Sequence, residues 1–324
     1  MIICVSANPA VDRRLRLKRL EIGGVNRAAA AHPLPGGKAA HVAMAARAFG
    51  EPVLWVGFLG GSAGSACEKG LAALDIPVAV VNTGAETRSN LEIIEADGTV
   101  TEVLEPGGRV TERDLERMFS LCRDVFSEHD GRAQVALSGS LPPAAPADFY
   151  AQLIRMARAE GCRVLLDTSG EALRAALGEG PDLVKPNRDE VAALTGIEVG
   201  DERSTAEAAR RLFELGARGV AISLGADGMY WQESADSLPF VARPPRVEAL
   251  SAVGCGDSSV AGFAVARRRG LAGAEAVRFA AACGTANCLA DAPGMIDPRE
   301  VDRLARQVAV RPFADEVRAA AREA

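Results

Sequence analysis

Residues 253–263 read Val-Gly-Cys-Gly-Asp-Ser-Ser-Val-Ala-Gly-Phe, two glycines and one carboxylate ahead of a helical pattern. Gly254 and Gly256 lack Cβ atoms, so backbone N–H groups there can approach a ligand closely. A helix beginning at Asp257 adds its own unpaired N–H groups and the positive end of its dipole, which together form an anion site. A carboxylate caps helices well but repels phosphate. Asp257 is therefore better explained as a general base facing a hydroxyl that attacks phosphorus. The plain alternative is an ordinary capped helix after a glycine turn. The block also misses two better-known phosphate patterns: Ser259 holds the third glycine position of G-x-G-x-x-G, and Lys38 is followed by Ala39, where a P-loop needs Ser or Thr.

Elements that would position this chemistry alternate along the chain. Short β-rich runs at residues 2–6, 53–58, 133–137, 164–167, 183–185 and 220–224 are separated by helical patterns such as 39–49, 145–160 and 205–215. That alternation predicts an α/β, doubly wound sheet whose strands are covered on both faces. Ligands gather outside the C-terminal ends of such strands, and polar groups fall there: Asn8 and Asp12, Ser138-Gly139-Ser140, Lys185-Pro186-Asn187, and Ser223 to Gly228. Gly36-Gly37-Lys38 opens the 39–49 helix and offers a second anion site with a cation attached. Residues 12–31 and 88–105 instead alternate polar and apolar, with the turn signal Asp97-Gly98, and predict a small antiparallel sheet apart from the main one. Two edge hairpins of the main sheet are the alternative. From about Asp257 onward the chain reads as wholly helical, ending in an Ala/Glu/Arg helix over 312–324.

The 324 residues carry 48% hydrophobic and 25% charged residues, enough for a real core. Seven cysteines are scattered without C-x-x-C pairs, which argues against zinc and against a disulfide framework. The N-terminus lacks the basic start of a signal peptide, and no apolar run approaches the ~20 residues that span a bilayer. A soluble, cytoplasmic protein is expected. The formal net charge of −6 and a pI near 5.4 argue against nucleic acid as a partner. Arg267-Arg268-Arg269, just before Gly270, reads as a dipole-complementing helix end.

Taken in order, the blocks resemble the PfkB/ribokinase-like sugar kinases, in the branch that acts on phosphorylated ketohexoses. They are Asn8-Pro9-Ala10-Val11-Asp12, Gly36-Gly37-Lys38, Thr87-Arg88, Ser138 to Pro143, Asp167 to Leu173, Val184 to Asn187, Ser223 to Gly228 and Gly254 to Gly262. The resemblance runs from Ile2 to about Pro312. It implies a ribokinase-like, mostly parallel sheet with helices on both faces. A single kinase domain over 1–311 would carry a discontinuous β lid from about 12–33 and 87–106, through which homodimers form.

The resemblance also implies roles. Asp257 is the base, with N–H groups of Gly254, Cys255 and Gly256 around the transferred phosphoryl group. Lys185, Asn187, Ser223, Gly225 and Gly228 lie on the nucleotide side, Asn287 near the adenine, and Glu190 orders Mg²⁺ through water. Asp12 and Asn90 face the sugar, and Arg27, Arg88 and Lys38 hold its phosphate, with Gly37, Ser138 and Gly139 beside them. The expected reaction is ATP plus fructose-1-phosphate or tagatose-6-phosphate giving a bisphosphate. A kinase of an unphosphorylated sugar or nucleoside is the alternative enzyme, and a non-catalytic sugar-phosphate sensor the alternative of another class. The resemblance leaves a monovalent-cation requirement open. One departure stands out: phosphosugar members usually continue Gly-Lys-Gly-apolar-Asn, whereas this chain reads Gly37-Lys38-Ala39-Ala40-His41. His41 is read as a sugar or phosphate contact of altered hydroxyl preference, with a helix-surface position away from ligand as the alternative.

Overall fold

The computed structural model describes residues 1–28, 31–129 and 131–313. In chain order the first elements are β1 (Ile2–Ser6), β2 (Ala10–Leu17), β3 (Ala31–Gly36), α1 (Lys38–Ala48), β4 (Val53–Leu59), α2 (Gly61–Ala73), β5 (Val78–Asn82), β6 (Arg88–Glu95) and β7 (Val100–Leu104). The middle of the chain supplies α3 (Glu112–Ser127), β8 (Gln134–Ser138), α4 (Phe149–Ala159), β9 (Arg163–Asp167), α5 (Gly170–Leu177), β10 (Leu183–Val184), α6 (Arg188–Thr195) and α7 (Glu202–Glu214). Then come β11 (Val220–Ser223), β12 (Met229–Gln232), β13 (Phe240–Arg243), α8 (Cys255–Arg268), α9 (Gly273–Cys288), α10 (Pro298–Ala305) and β14 (Ala309–Pro312).

Ten strands form the main sheet in the order β14-β13-β12-β11-β10-β9-β8-β1-β4-β5. From β11 to β5 the pairs are parallel, and β11 to β14 form an antiparallel edge. All five residues of β1 are buried, as expected of a parallel strand covered on both faces. One face packs on α1, α8, α9 and α10 through residues such as Ala43, Val260, Val277 and Leu304. The other packs on α3, α4, α5 and α7 through Met118, Leu153, Leu173 and Leu212. The chain leaves β1 toward β4 and later returns to its other side as β8, so the strand order reverses between β1 and β8. A crevice at that reversal is where ligands bind in open α/β sheets.

A second sheet has the order β3-β2-β6-β7. It is separate from the main sheet, as the alternating pattern predicts, but it is mixed rather than antiparallel, because β2 and β6 run parallel with Asp12 opposite Asn90. Its strands begin at Ala10 and reach Gly36, beyond the expected 12–33. The expectation of an all-helical chain after Asp257 is also corrected. β14 pairs antiparallel with β13, placing Pro312 opposite Phe240 and burying Phe313. The rest of the expected C-terminal helix, residues 314–324, lies outside the described residues. No helix among the described residues is long and apolar enough to cross a membrane.

Candidate active site

α8 begins at Cys255, before the Asp257 start that the sequence suggests. Gly254 is its N-cap, at φ +81°, and Asp257 is the third helical residue rather than the cap. An L side chain at Gly254 would be strained by that φ, and its Cβ would stand 2.7 Å from the Pro293 side chain. The N–H of Cys255 donates to Ala252 O at 3.2 Å, so it is not a free donor as expected. Among the described residues, the N–H groups of Gly254, Gly256 and Asp257 find no acceptor in the chain. A Cβ on Gly256 would stand 3.2 Å from Lys185 Nζ. Free N–H groups, the positive end of α8 and a buried amine thus meet around one small volume, a combination suited to phosphate oxygens.

Asp257 is buried, and its Oδ2 lies 2.8 Å from Nδ1 of His41. The same imidazole places Nε2 2.8 Å from Asp12 Oδ2. Asp12 is held by three donors: His41 on α1, Asn90 on β6, whose Nδ2 donates to Oδ1 at 2.9 Å, and the N–H of Gly37, the N-cap of α1. Burial pushes the Asp12 carboxyl up, but these donors outweigh it and hold it below the usual carboxylate range. Gly36 must lack a side chain here, since a Cβ would fall 2.2 Å from Asp12 Oδ1. His41 is 5% exposed, which removes the helix-surface alternative. Ala39 is buried inside α1 in ordinary helical backbone, so its replacement of glycine costs nothing there.

A second charged group adjoins the first. Asp167, at the end of β9, is 1% exposed and pairs with Lys38 Nζ at 2.8 Å and Lys185 Nζ at 3.3 Å. Burial lowers the Lys38 amine, but Asp167, Asp257 and Glu190 more than reverse this and keep it protonated. Asp167 opens one of the blocks that carry the resemblance, but the sequence assigned it no role in the site. Its signal was a carboxylate closing the buried run Val164-Leu165-Leu166, which needs a cation inside the fold. Gly139 N–H donates to Asp167 O at 2.9 Å, and Gly139 O accepts from Thr168 at 2.8 Å and Tyr150 at 3.1 Å. That fixes the turn after β8, beside which the buried Ser138 hydroxyl has no partner.

The expected phosphate cations are not drawn together by shared contacts among the described residues. Arg88 donates to the carbonyls of Glu105 at 2.9 Å and Asn8 at 3.0 Å, leaving a buried Nε unpaired. Arg27 is exposed on the β2–β3 loop, and no ion pair or hydrogen bond ties it to the site among the described residues. Lys38 is engaged by Asp167, as above. Unpaired Arg88 Nε and Asn90 Oδ1 supply one donor and one acceptor beside Asp12.

On the nucleotide side, Asn187 and Glu190 form a capping box at the start of α6, with Glu190 N to Asn187 Oδ1 at 2.8 Å and Asn187 N to Glu190 Oε2 at 2.9 Å. Glu190 Oε1 lies 3.8 Å from Lys38 Nζ. Ser223 bridges to Asn187, and a short 3-10 turn carries Gly225 and leads to Gly228. Asn287, expected near the adenine, is 2% exposed and its amide is fully used. Nδ2 donates to Val253 O at 2.7 Å, while Oδ1 accepts from Ser258 at 3.0 Å and Gly294 N at 2.8 Å. It braces the turn before α8. Cys255 and Cys288 face each other with sulfurs 3.0 Å apart. A cleft of about 470 Å³ lies between Gly98, Val100 and Glu102 of the small sheet and residues 249–253, beside this turn rather than over Asp257.

Comparison with known proteins agrees with this geometry. Residues 5–297 match the pfkB family carbohydrate kinase. A 1-phosphofructokinase of Rhodobacter capsulatus is 35% identical over 96% of this chain and 97% of its own length. A tagatose-6-phosphate kinase of Staphylococcus epidermidis is 30% identical over 96% of this chain and 99% of its own. Phosphofructokinase-2 of Escherichia coli, solved in complex with fructose-6-phosphate, superposes with a TM-score of 0.85 at 30% identity, covering 94% of this chain and 98% of that one. With a ribokinase-like sheet, a separate small sheet and a carboxylate beside a helix start whose N–H groups are unpaired, the chain belongs to the pfkB family of carbohydrate kinases.

Proposed function

We propose that this kinase transfers the γ-phosphoryl group of ATP to a free hydroxyl of a phosphorylated ketohexose, giving a bisphosphate. The observation that carries the reading is Asp257, buried one turn into α8 behind three unpaired N–H groups and joined through His41 to Asp12. The acceptor hydroxyl gives its proton to the Asp257 carboxylate as its oxygen bonds to the γ-phosphorus. The bond from that phosphorus to the β-bridging oxygen breaks, and ADP leaves. Negative charge building on the transferred group meets the N–H groups of Gly254, Gly256 and Asp257, with Lys185 beside them. Lys38, anchored by Asp167, brings a second cation to the same crevice. Asp12 and Asn90 read sugar hydroxyls.

Mg²⁺ carried with the triphosphate neutralises its oxygens. Among the described residues no cluster of three His, Cys, Asp or Glu side chains could hold a metal. An ion bound chiefly by phosphate and water fits that better than a resident site. Glu190 Oε1, the oxygen outside the capping box, is the group to hold it through water. The E. coli relative has also been solved in complex with potassium, so activity in K⁺ against Na⁺ belongs in the same assay.

A second reading, a kinase of an unphosphorylated sugar, draws support from the internal partners of Arg88 and Lys38 and from Arg27, which no contact among the described residues ties to the site. One experiment separates the two: ADP release with Mg-ATP and fructose-1-phosphate, fructose-6-phosphate, tagatose-6-phosphate, fructose, ribose and adenosine, alongside Asp257→Asn, Arg27→Ala and Arg88→Ala. Turnover confined to a phosphorylated ketose is expected, lost by about 10²–10⁴-fold in Asp257→Asn, with acceptor KM rising in both arginine variants. Turnover on neutral acceptors alone, with KM unmoved in those variants, establishes the second reading. ATP and sugar-phosphate binding without turnover in the wild type points to a sensor.

A further inference from the structure

His41 touches two carboxylates that come from different sheets' worth of structure, Asp12 on β2 and Asp257 on α8, each at 2.8 Å. A neutral imidazole offers one N–H and one lone pair, so it can serve only one ionised carboxylate. Both contacts are satisfied when the ring carries two N–H groups, or when one carboxyl holds the proton instead. Asp12 is held below the usual carboxylate range and is not the proton carrier on its side. Burial opposes charge on the ring, but hydrogen bonds from it to Asp12 and Asp257 outweigh burial and push His41 up to about 10.

Other charges near the ring are few. Lys38 lies one turn earlier on α1, while β6 contributes Arg88 and Glu92, the latter paired with Arg14 of β2. Glu102 of β7 feels Asp12, His41 and Asp257 through space. Strands β1, β4 and β8, which also pack on α1, carry no charged residue.

We propose that His41 is a positioning residue for the acceptor: an imidazolium strut that fixes the base Asp257 relative to the hydroxyl-reading Asp12. The strut occupies Oδ2 of Asp257 and leaves Oδ1, which takes no hydrogen bond from the described residues, to receive the acceptor's proton. At Asp12 the donors are His41, Asn90 and Gly37. A carboxylate has about four lone-pair positions, so one remains, and Asp12 reads a single donor hydroxyl. The acceptor is thus recognised by two hydroxyls at a spacing set by the ring, one reacting at Asp257 and one donating to Asp12. This rests on the kinase reading above and specifies its acceptor end.

The test has a spectroscopic and a kinetic arm. The chain has three histidines, so ¹⁵N imidazole spectra of the wild type are assigned by the signals missing in His41→Asn, or by specific labelling if that variant does not fold. His41 is expected to show two protonated nitrogens at pH 8 and to lose one only near pH 10. A single protonated nitrogen at pH 8 overturns the strut. Kinetically, His41→Asn and His41→Gln remove the cation and leave two carboxylates facing each other. We expect kcat to fall about ten- to hundredfold, the effect of a misplaced reacting group, with KM for ATP nearly unchanged. The acid limb of kcat/KM moves up by about one pH unit or more. A purely structural histidine would leave that limb in place, and an unmoved limb with kcat within threefold of wild type overturns the proposal. Absence of turnover on every acceptor sinks the kinase reading while leaving the imidazole signals unaffected, so the two failures are distinguishable.

Discussion

Asp167 is the carboxylate on which the two lysines of the crevice depend. Its oxygens face Lys38 at 2.8 Å and Lys185 at 3.3 Å, and Lys185 is itself buried. Removing the charge strands both amines where water cannot reach one of them, so Asp167→Asn is expected to destabilise the fold by about 3–5 kcal/mol, the cost of breaking a buried ion pair. The pH dependence has a definite sign. Burial raises the Asp167 carboxyl, but Lys185 and then Lys38 overcome it and hold the group below the usual range. Its contribution is therefore present above the ordinary carboxylate range and is lost as pH falls through the depressed value. Urea melts from pH 7 to pH 3 should show wild-type stability falling toward the variant's; parallel curves would refute the pairing. At this scale the sequence was legible where local chemistry forced the reading, as with a carboxylate directly after the Gly254-Cys255-Gly256 turn. Asp167 was not, because its partners come from α1 and from the end of β10, far away in the chain. The internal role of Asn287 was hidden for a related reason: an amide inside an Ala-rich helix does not show that its four hydrogen-bonding positions are taken up by residues 253–258 and Gly294.

The small sheet, the proposed lid, is tied to α8 through β6. Glu92 accepts from Arg14 Nε at 2.7 Å and Nη2 at 3.0 Å, and also from the hydroxyl of Ser251, three residues before the cap of α8. Arg14 further donates to Asp291 O, in the loop after α9. This buried bridge couples the strands that carry Asp12 and Asn90 to the turn that presents Asp257. Ser251→Ala removes one hydrogen bond to a charged acceptor, worth about 1.5–3 kcal/mol. The expected result is faster hydrogen exchange in β6 and a severalfold rise in acceptor KM, with KM for ATP little changed; exchange in β6 identical to wild type would show that the bridge does not hold the lid. Element by element, the continuous apolar runs of the parallel strands were readable, whereas β5, β12, β13 and β14 were not, being short or half-exposed strands toward the sheet edges. The mixed lid was unreadable for another reason. Alternation tells which face is wet but not which way a strand runs. β2 follows β1 and β6 follows β5; since β1 and β5 run in the same direction in the main sheet, both chains leave it the same way and the lid strands come out parallel.

For the whole molecule, the exposed side of the small sheet is where an assembly is expected to form. β7 is an edge strand, and Val103 and Leu104, which point to opposite faces of it, are 51% and 58% exposed. Ile22 and Val25 on the β2–β3 loop are exposed as well. An apolar edge with unpaired backbone groups is an aggregation hazard unless another strand or sheet covers it. A second copy of the lid is the partner we propose, and one E. coli relative has been solved as a tetramer. Light scattering should then give twice the 33.7 kDa of one chain. Because β7 pairs with β6, which carries Arg88 and Asn90, the proposed acceptor contacts, covering the edge is expected to steady that site as well. The double variant Val103→Lys, Leu104→Glu places charge on both faces of the edge without touching Asp12, His41 or Asp257. It should run as a monomer with a raised acceptor KM and an unchanged melting transition for the main sheet. A wild type that scatters as a monomer at micromolar concentration would remove the lid from the assembly, and a monomeric variant with unaltered KM would show that dimerisation and acceptor binding are independent.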